Sequence, residues 1–159
     1  MKRLLYTALI IFIAVSANAQ DEFQEIQKEW GKEKKEIVGI GMALSDADAN
    51  KFWPLYDQYE KERQKIGKER IMILNDYAEH YSSMTNAKAD ELVNRINKND
   101  AALSKLYQQY YTKIKTALNA IQAAKFLQIE NYINSTLKLT FQELLPVIGE
   151  LDHMKKQEL

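Results

Sequence analysis

Apolar positions recur along this chain every three to four residues, and no stretch alternates at period two. The spacing therefore predicts helices and no sheet. From Phe52, the residues Tyr56, Tyr59, Arg63, Ile66, Arg70, Ile73, Tyr77 and Tyr81 follow at steps of four and three, a heptad-like seam. A second seam runs through Leu92, Ile96, Asn99, Leu103, Leu106, Tyr110, Ile114 and Ala117. A narrower stripe, Phe23, Ile26, Trp30 and Ile37, precedes them, and Phe126, Ile129, Ile133, Leu137, Phe141 and Leu144 form the last. Four helices result, over about 21–38, 45–81, 86–118 and 119–145. The fold class is all-α: an elongated four-helix arrangement with a long antiparallel helical hairpin.

Punctuation between the stripes supports these boundaries. Gly39-Ile40-Gly41 is expected to end the first helix, since glycine tolerates the left-handed conformation that caps helices. Ser45-Asp46-Ala47-Asp48 has the form of a capping box, with a hydroxyl for an orphan N–H and an acid three residues on. Pro54 lies inside the second helix and should bend it. The short run Ser82–Asn86 makes a turn, so the second and third helices should pair antiparallel. Counting outward from that turn sets Tyr77 near Leu92, Ile66 near Leu103, Tyr59 near Tyr110, and Arg70 near Asn99 and Asp100. Pro146 should stop the fourth helix and leave residues 146–159 as a charged tail.

The N-terminus changes the picture from a bundle to an exported bundle. Lys2 and Arg3 precede an apolar run from Leu4 to Val15, and Ser16-Ala17-Asn18-Ala19 offers the small-x-small pattern of signal-peptide cleavage. An apolar run of roughly 12 residues is short of the roughly 20 that a bilayer span needs. Residues 1–19 are thus expected to be removed, leaving a helical domain over 20–145, with no stable membrane span, in the periplasm. The full chain balances 22 basic against 22 acidic residues, and loss of Lys2 and Arg3 makes the exported part mildly acidic. Nucleic acid, which demands clustered positive charge, is not an expected partner. With no cysteine, the fold must hold by packing alone.

Candidate chemistry is sparse. No thiol nucleophile, Gly-rich phosphate loop or Gly-x-Ser-x-Gly elbow occurs, so no catalytic residue and no cofactor are assigned and an enzyme is not expected. The carboxylates lie among lysines at helical spacing, the pattern of solvated salt-bridging faces. Asp76, His80 and Met84, spaced by four, are the one weak metal candidate. Most aromatic residues sit on the seams, where core packing is the default, but Trp53 and Tyr111 point off them, and a thin bundle leaves aromatic surface exposed. Phe52, Trp53, Tyr56, Tyr59, Tyr107, Tyr110 and Tyr111, with Arg63, are candidates for contact with a protein partner, because tyrosine and tryptophan bury a ring and keep a polar handle.

Leu44-Ser45-Asp46-Ala47-Asp48 and Leu118-Asn119-Ala120-Ile121-Gln122 open the second and fourth helices. Both resemble the Leu-Thr-x-x-Gln motif that occurs twice in the Spy/CpxP-like family of periplasmic helical proteins. Ser45 and Asn119 stand where the motif has threonine, and Asp48 where it has glutamine; all three preserve capping. The resemblance covers roughly residues 42–137 and assigns motif roles to Leu44, Ser45, Asp48, Leu118, Asn119 and Gln122. It implies a cradle-shaped homodimer acting as an ATP-independent chaperone for unfolded or envelope protein clients, or in envelope stress. A regulatory or sensor protein that binds another envelope protein, and a periplasmic metal-binding or metal-resistance protein, are the alternative expectations.

Overall fold

A computed structural model describes the backbone of residues 19–144 and the side chains of residues 31–139. The expected signal peptide, the apolar residues Phe23, Ile26, Trp30, Phe141 and Leu144, and the charged tail lie outside those described side chains. Among the described residues there are four α-helices and no strand: α1 (Ala19–Met42), α2 (Asp46–His80), α3 (Asn86–Ala117) and α4 (Ala120–Leu144). Their contacts divide the chain into two compact units between Leu44 and Ser45, where the sequence pattern suggested one domain over 20–145.

In the first unit, α1 continues through Gly39 and Gly41 to Met42, so those glycines do not end it. The left-handed residue is Ala43, at φ 47°, whose N–H donates to the Gly39 carbonyl at 3.1 Å. This is the single-bond left-handed cap that glycine normally fills. The expected stripe is also displaced by one position: Ile37 is 40% exposed, whereas Val38 and Met42 are buried.

The second unit starts at the cap of α2, where the Asp48 N–H donates to Ser45 Oγ at 3.3 Å. Asp46 and Asp48 occupy the first turn, where the helix dipole favours negative charge. α2 accommodates Pro54 without a break and runs for 35 residues, roughly 52 Å at about 1.5 Å per residue. A 3₁₀ turn, Tyr81–Ser83, ends it, and Thr85 caps α3 by accepting from the Lys88 N–H at 3.2 Å.

The hairpin register follows the count from the turn. Tyr59 and Tyr110 pack edge to face with centroids 5.2 Å apart, and Arg70 pairs with Asp100. Asn99 departs in detail: its Nδ2 donates to the Ile66 carbonyl at 2.8 Å instead of meeting Arg70. That bond satisfies an amide that is only 7% exposed, as buried polar groups require.

Leu118 and Asn119 alone separate α3 from α4, and Asn119 Oδ1 accepts from the Gln122 N–H at 2.9 Å. So short a connection folds α4 back along α3, with Lys138 paired to Asp100 at 3.2 Å. α4 therefore runs parallel to α2 and meets it through Phe126 and Glu130. The core of this unit is Phe52, Tyr56, Tyr59, Ile73, Leu92, Leu106, Tyr110, Ile114, Ala123, Phe126 and Ile133.

Candidate functional site

The chemically richest place in the second unit is the junction where α2, α3 and α4 meet. Steps of four and three put Phe52, Tyr56, Tyr59 and Arg63 on one face of α2. Phe126 fits among the first three, its ring centroid 5.7 Å from Phe52, 6.4 Å from Tyr56 and 5.1 Å from Tyr59. The contacts are edge-on, the arrangement that aligns positive ring edges with negative faces. Tyr107 stacks on Tyr59 from α3, with centroids at 6.4 Å.

Glu130 enters this apolar setting from α4 with no exposed surface. A buried carboxylate is costly unless charge and hydrogen bonds compensate it. The Tyr59 hydroxyl donates to Glu130 Oε2 at 2.6 Å, and Arg63 Nε lies 3.7 Å from the same oxygen. Arg63 also reaches Glu60, at 3.6 Å. Burial alone pulls the Arg63 pKa down, but Glu60 and Glu130 more than reverse it, and the guanidinium is held firmly charged. Burial, reinforced by the Glu130 charge, pushes the Tyr59 phenol far above its ordinary range. Burial also raises Tyr107, to about 12. Tyr110 is likewise raised to about 12, by burial and then by its 2.7 Å hydrogen bond to Glu62. At neutral pH these phenols are donors and not bases.

Seven of the eight residues expected to face a partner, all but Tyr111, thus meet at this junction, and most of them are core and not surface. Phe52, Tyr56, Tyr59 and Tyr110 are at most 1% exposed; they are core, and a partner has no access to them. Trp53, Arg63, Tyr107 and Tyr111 are half-buried. The four buried rings lie on the seams, where core packing is the ordinary outcome, and there the tyrosines themselves supply the interior.

Glu130 is the residue that sequence reasoning missed. It lies four residues after Phe126 and three before Ile133, inside the apolar stripe, and Arg63 lies inside the facing seam. Opposite charges on two seams were the available signal.

The capping motifs are present as single arms. Ser45 and Asn119 cap α2 and α4, each worth about 1 kcal/mol. The reciprocal arm at Gln122 is not made, because its Oε1 is buried without a hydrogen-bond partner.

Of the metal candidates, Asp76 and His80 meet, His80 Nδ1 lying 3.1 Å from the carboxylate. His80 ends α2, and Met84 follows the 3₁₀ turn in extended conformation, so helical spacing does not run through it. Asp76 is enclosed by the cations Lys88, at 3.2 Å, and Arg95, at 2.8 Å, with the His80 imidazole Nδ1 at 3.1 Å. The Lys88 hydrogen bond, ahead of its charge and those of His80 and Arg95, holds the Asp76 carboxyl below its usual range. Glu69 and Glu91 complete this network across the hairpin through Arg95. Among the described residues, no three His, Cys, Asp or Glu side chains are grouped to hold a metal ion.

Three exposed apolar side chains on α4 were not anticipated. Ile121, Tyr132 and Leu139 are 80%, 71% and 57% exposed. Separations of 11 and 7 residues are close to three and two helical turns, so the three share the face of α4 opposite Glu130. No protein-family model, curated protein or solved structure matches this chain.

Proposed function

We propose that this chain is a periplasmic binding protein that holds unfolded or partly folded envelope proteins without nucleotide, in the manner of an ATP-independent chaperone. The observation that carries the reading is the exposed stripe on α4. Ile121 to Leu139 spans roughly 27 Å at about 1.5 Å per residue, a length that suits an extended or helical client segment. The intervening positions on that face are Ala124, Lys125, Gln128, Ser135 and Thr136, with no acid among them. Exposed apolar side chains spaced along one face, with basic and uncharged polar groups between them, offer a client segment apolar and polar contacts in turn. Met72 and Val93, 45% and 54% exposed, add apolar contacts on the hairpin.

The expected site therefore moves. Clients meet the outer face of α4 and the half-buried Trp53, Tyr107 and Tyr111, and the inner aromatic residues hold the helices that present that face. The two capped helix starts fit the resemblance to Spy/CpxP-like proteins, which supports periplasmic action and a dimeric state as part of the same proposal.

The test is the aggregation of a chemically denatured protein, followed by light scattering, at near-stoichiometric amounts of this chain without ATP. Suppression is expected, and its loss is expected in the triple variant Ile121→Glu, Tyr132→Glu, Leu139→Glu. Those positions are exposed, so unchanged ellipticity should accompany the loss. No suppression by the unmodified protein at several-fold excess would defeat the proposal.

A further inference from the structure

Charge is unevenly distributed along the hairpin. Between Glu91 and Glu130 the chain carries one acid, Asp100, against Arg95, Lys98, Lys105, Lys113, Lys115 and Lys125. Asp100 is engaged by Arg70 and Lys138, so it cancels none of the lysines on α3.

Arg95 orients the surface, because it reaches across the hairpin to Glu69 at 3.1 Å. From Arg95, steps of three and four lead along one face of α3 through Lys98, Ala102, Lys105, Gln109 and Lys113. From Glu69 back along α2, steps of four, three, four and seven lead to Lys65, Glu62, Gln58 and Lys51. These positions form the face of the hairpin turned away from α4. Asp100, which α4 meets through Lys138, lies about 140° around α3 from both Arg95 and Lys105. The acids on this face have partners within the fold: Glu62 accepts from the Tyr110 hydroxyl at 2.7 Å, and Glu69 holds Arg95. Lys51, Lys65, Lys98 and Lys105 are exposed and make no ion pair among the described residues. Lys113, also exposed, rests over the Tyr110 ring at 4.2 Å. Ammonium groups thus face solvent over a length of roughly 27 Å, from Lys51 to Glu69 at about 1.5 Å per residue.

We infer that this face of the hairpin docks on an anionic phospholipid surface. Protein–protein interfaces are built round apolar or aromatic anchors and are depleted in lysine at their centre. The positions between these lysines are Gln58, Glu62, Ala102 and Gln109, which offer no such anchor. Mobile lysines on two neighbouring rods suit a fluid layer of negative charge, where each contributes without a fixed partner. Attachment of this kind is peripheral and is released by salt. It leaves the apolar stripe on α4 clear of the membrane, and it does not rest on the proposed client binding.

The test is sedimentation of the expected exported form, residues 20–159, with vesicles of phosphatidylcholine alone or mixed in equal parts with phosphatidylglycerol. That form is mildly acidic overall, so attraction to an anionic vesicle has to come from a local surface. Binding to the anionic vesicles at low salt and its loss at high salt are expected, with none to phosphatidylcholine. A lysine near an anionic surface contributes about 1 kcal/mol, or about fivefold. Lys65→Gln, Lys98→Gln and Lys105→Gln together should therefore weaken binding roughly a hundredfold, with ellipticity unchanged. Lys115→Gln, which removes the same charge from another side of α3, should weaken it less than Lys105→Gln does. Three results overturn the inference: no sedimentation with anionic vesicles at low salt, equal binding by the triple variant, or lysine-dependent binding to poly-L-glutamate without binding to the vesicles.

Discussion

Tyr59→Phe removes one oxygen and tests whether the Glu130 network holds α4 to the hairpin. The hydroxyl donates to Glu130 Oε2 at 2.6 Å, and Glu130 has no exposed surface, so water cannot replace it. A hydrogen bond to a charged group contributes about 1.5–3 kcal/mol, and leaving a buried charge under-compensated lies toward the upper end. The expected loss is therefore about 2 kcal/mol, a sizeable part of the 5–15 kcal/mol typical of a domain. Glu130→Leu should also destabilise, because it strands the Tyr59 hydroxyl and removes one of the two acids near Arg63. The double variant lacks both ends of the bond. It should lose less than the sum of the singles, with a coupling of about 1 kcal/mol or more. Urea unfolding followed by ellipticity at 222 nm measures all four proteins, and unchanged slopes would show that only stability has moved. Additivity within about 0.5 kcal/mol would refute the reasoning, since it would mean that the two side chains do not stabilise each other.

Three further outcomes are expected. Gly67→Ala should raise stability by about 0.5–1 kcal/mol in the same urea assay, because Gly67 lies mid-helix and an added Cβ meets nothing within 4 Å. Ala43→Gly should raise it by about 1 kcal/mol, because φ 47° strains any residue with a Cβ; a drop in melting temperature would contradict that cap. Alkaline titration read at 295 nm should leave Tyr56, Tyr59, Tyr107 and Tyr110 un-ionised at pH 11, Tyr107 and Tyr110 ionising near pH 12. Their folded-state values lie above the ordinary 10.0, so the stability they contribute is complete below pH 10 and lost as pH rises through 12. Ionisation of all tyrosines near pH 10, with the helices intact, would contradict this.

The hairpin was legible because long seams and one short turn leave a single register. Tyr59 against Tyr110 and Arg70 against Asp100 both follow from counting outward from residues 82–86. The caps at Ser45 and Asn119 were legible for a local reason: a capping side chain acts within three residues of itself. The end of α1 was not, because glycine permits a left-handed cap without requiring one, and the chain uses Ala43. Met84 was misplaced because spacing of four has meaning only while the helix continues, and α2 stops at His80. Glu130 and the stripe of Ile121, Tyr132 and Leu139 were hidden for a related reason. Periodicity picked the inner stripe through Phe126 and Ile133, but it gave no reason to place an acid inside that stripe or apolar residues on the opposite face. The place of Glu130 is explained by its partners on α2, Tyr59 and Arg63.

Site-specific photo-crosslinking tests the central claim most directly. A benzophenone amino acid is placed at position 121, 132 or 139 on the stripe, or at the exposed polar position Lys105 on α3, and the protein is irradiated with a denatured client. Strong client adducts are expected from the three α4 positions and weak ones from position 105. Equal yields from all four, or none from the stripe while aggregation is still suppressed, would contradict it.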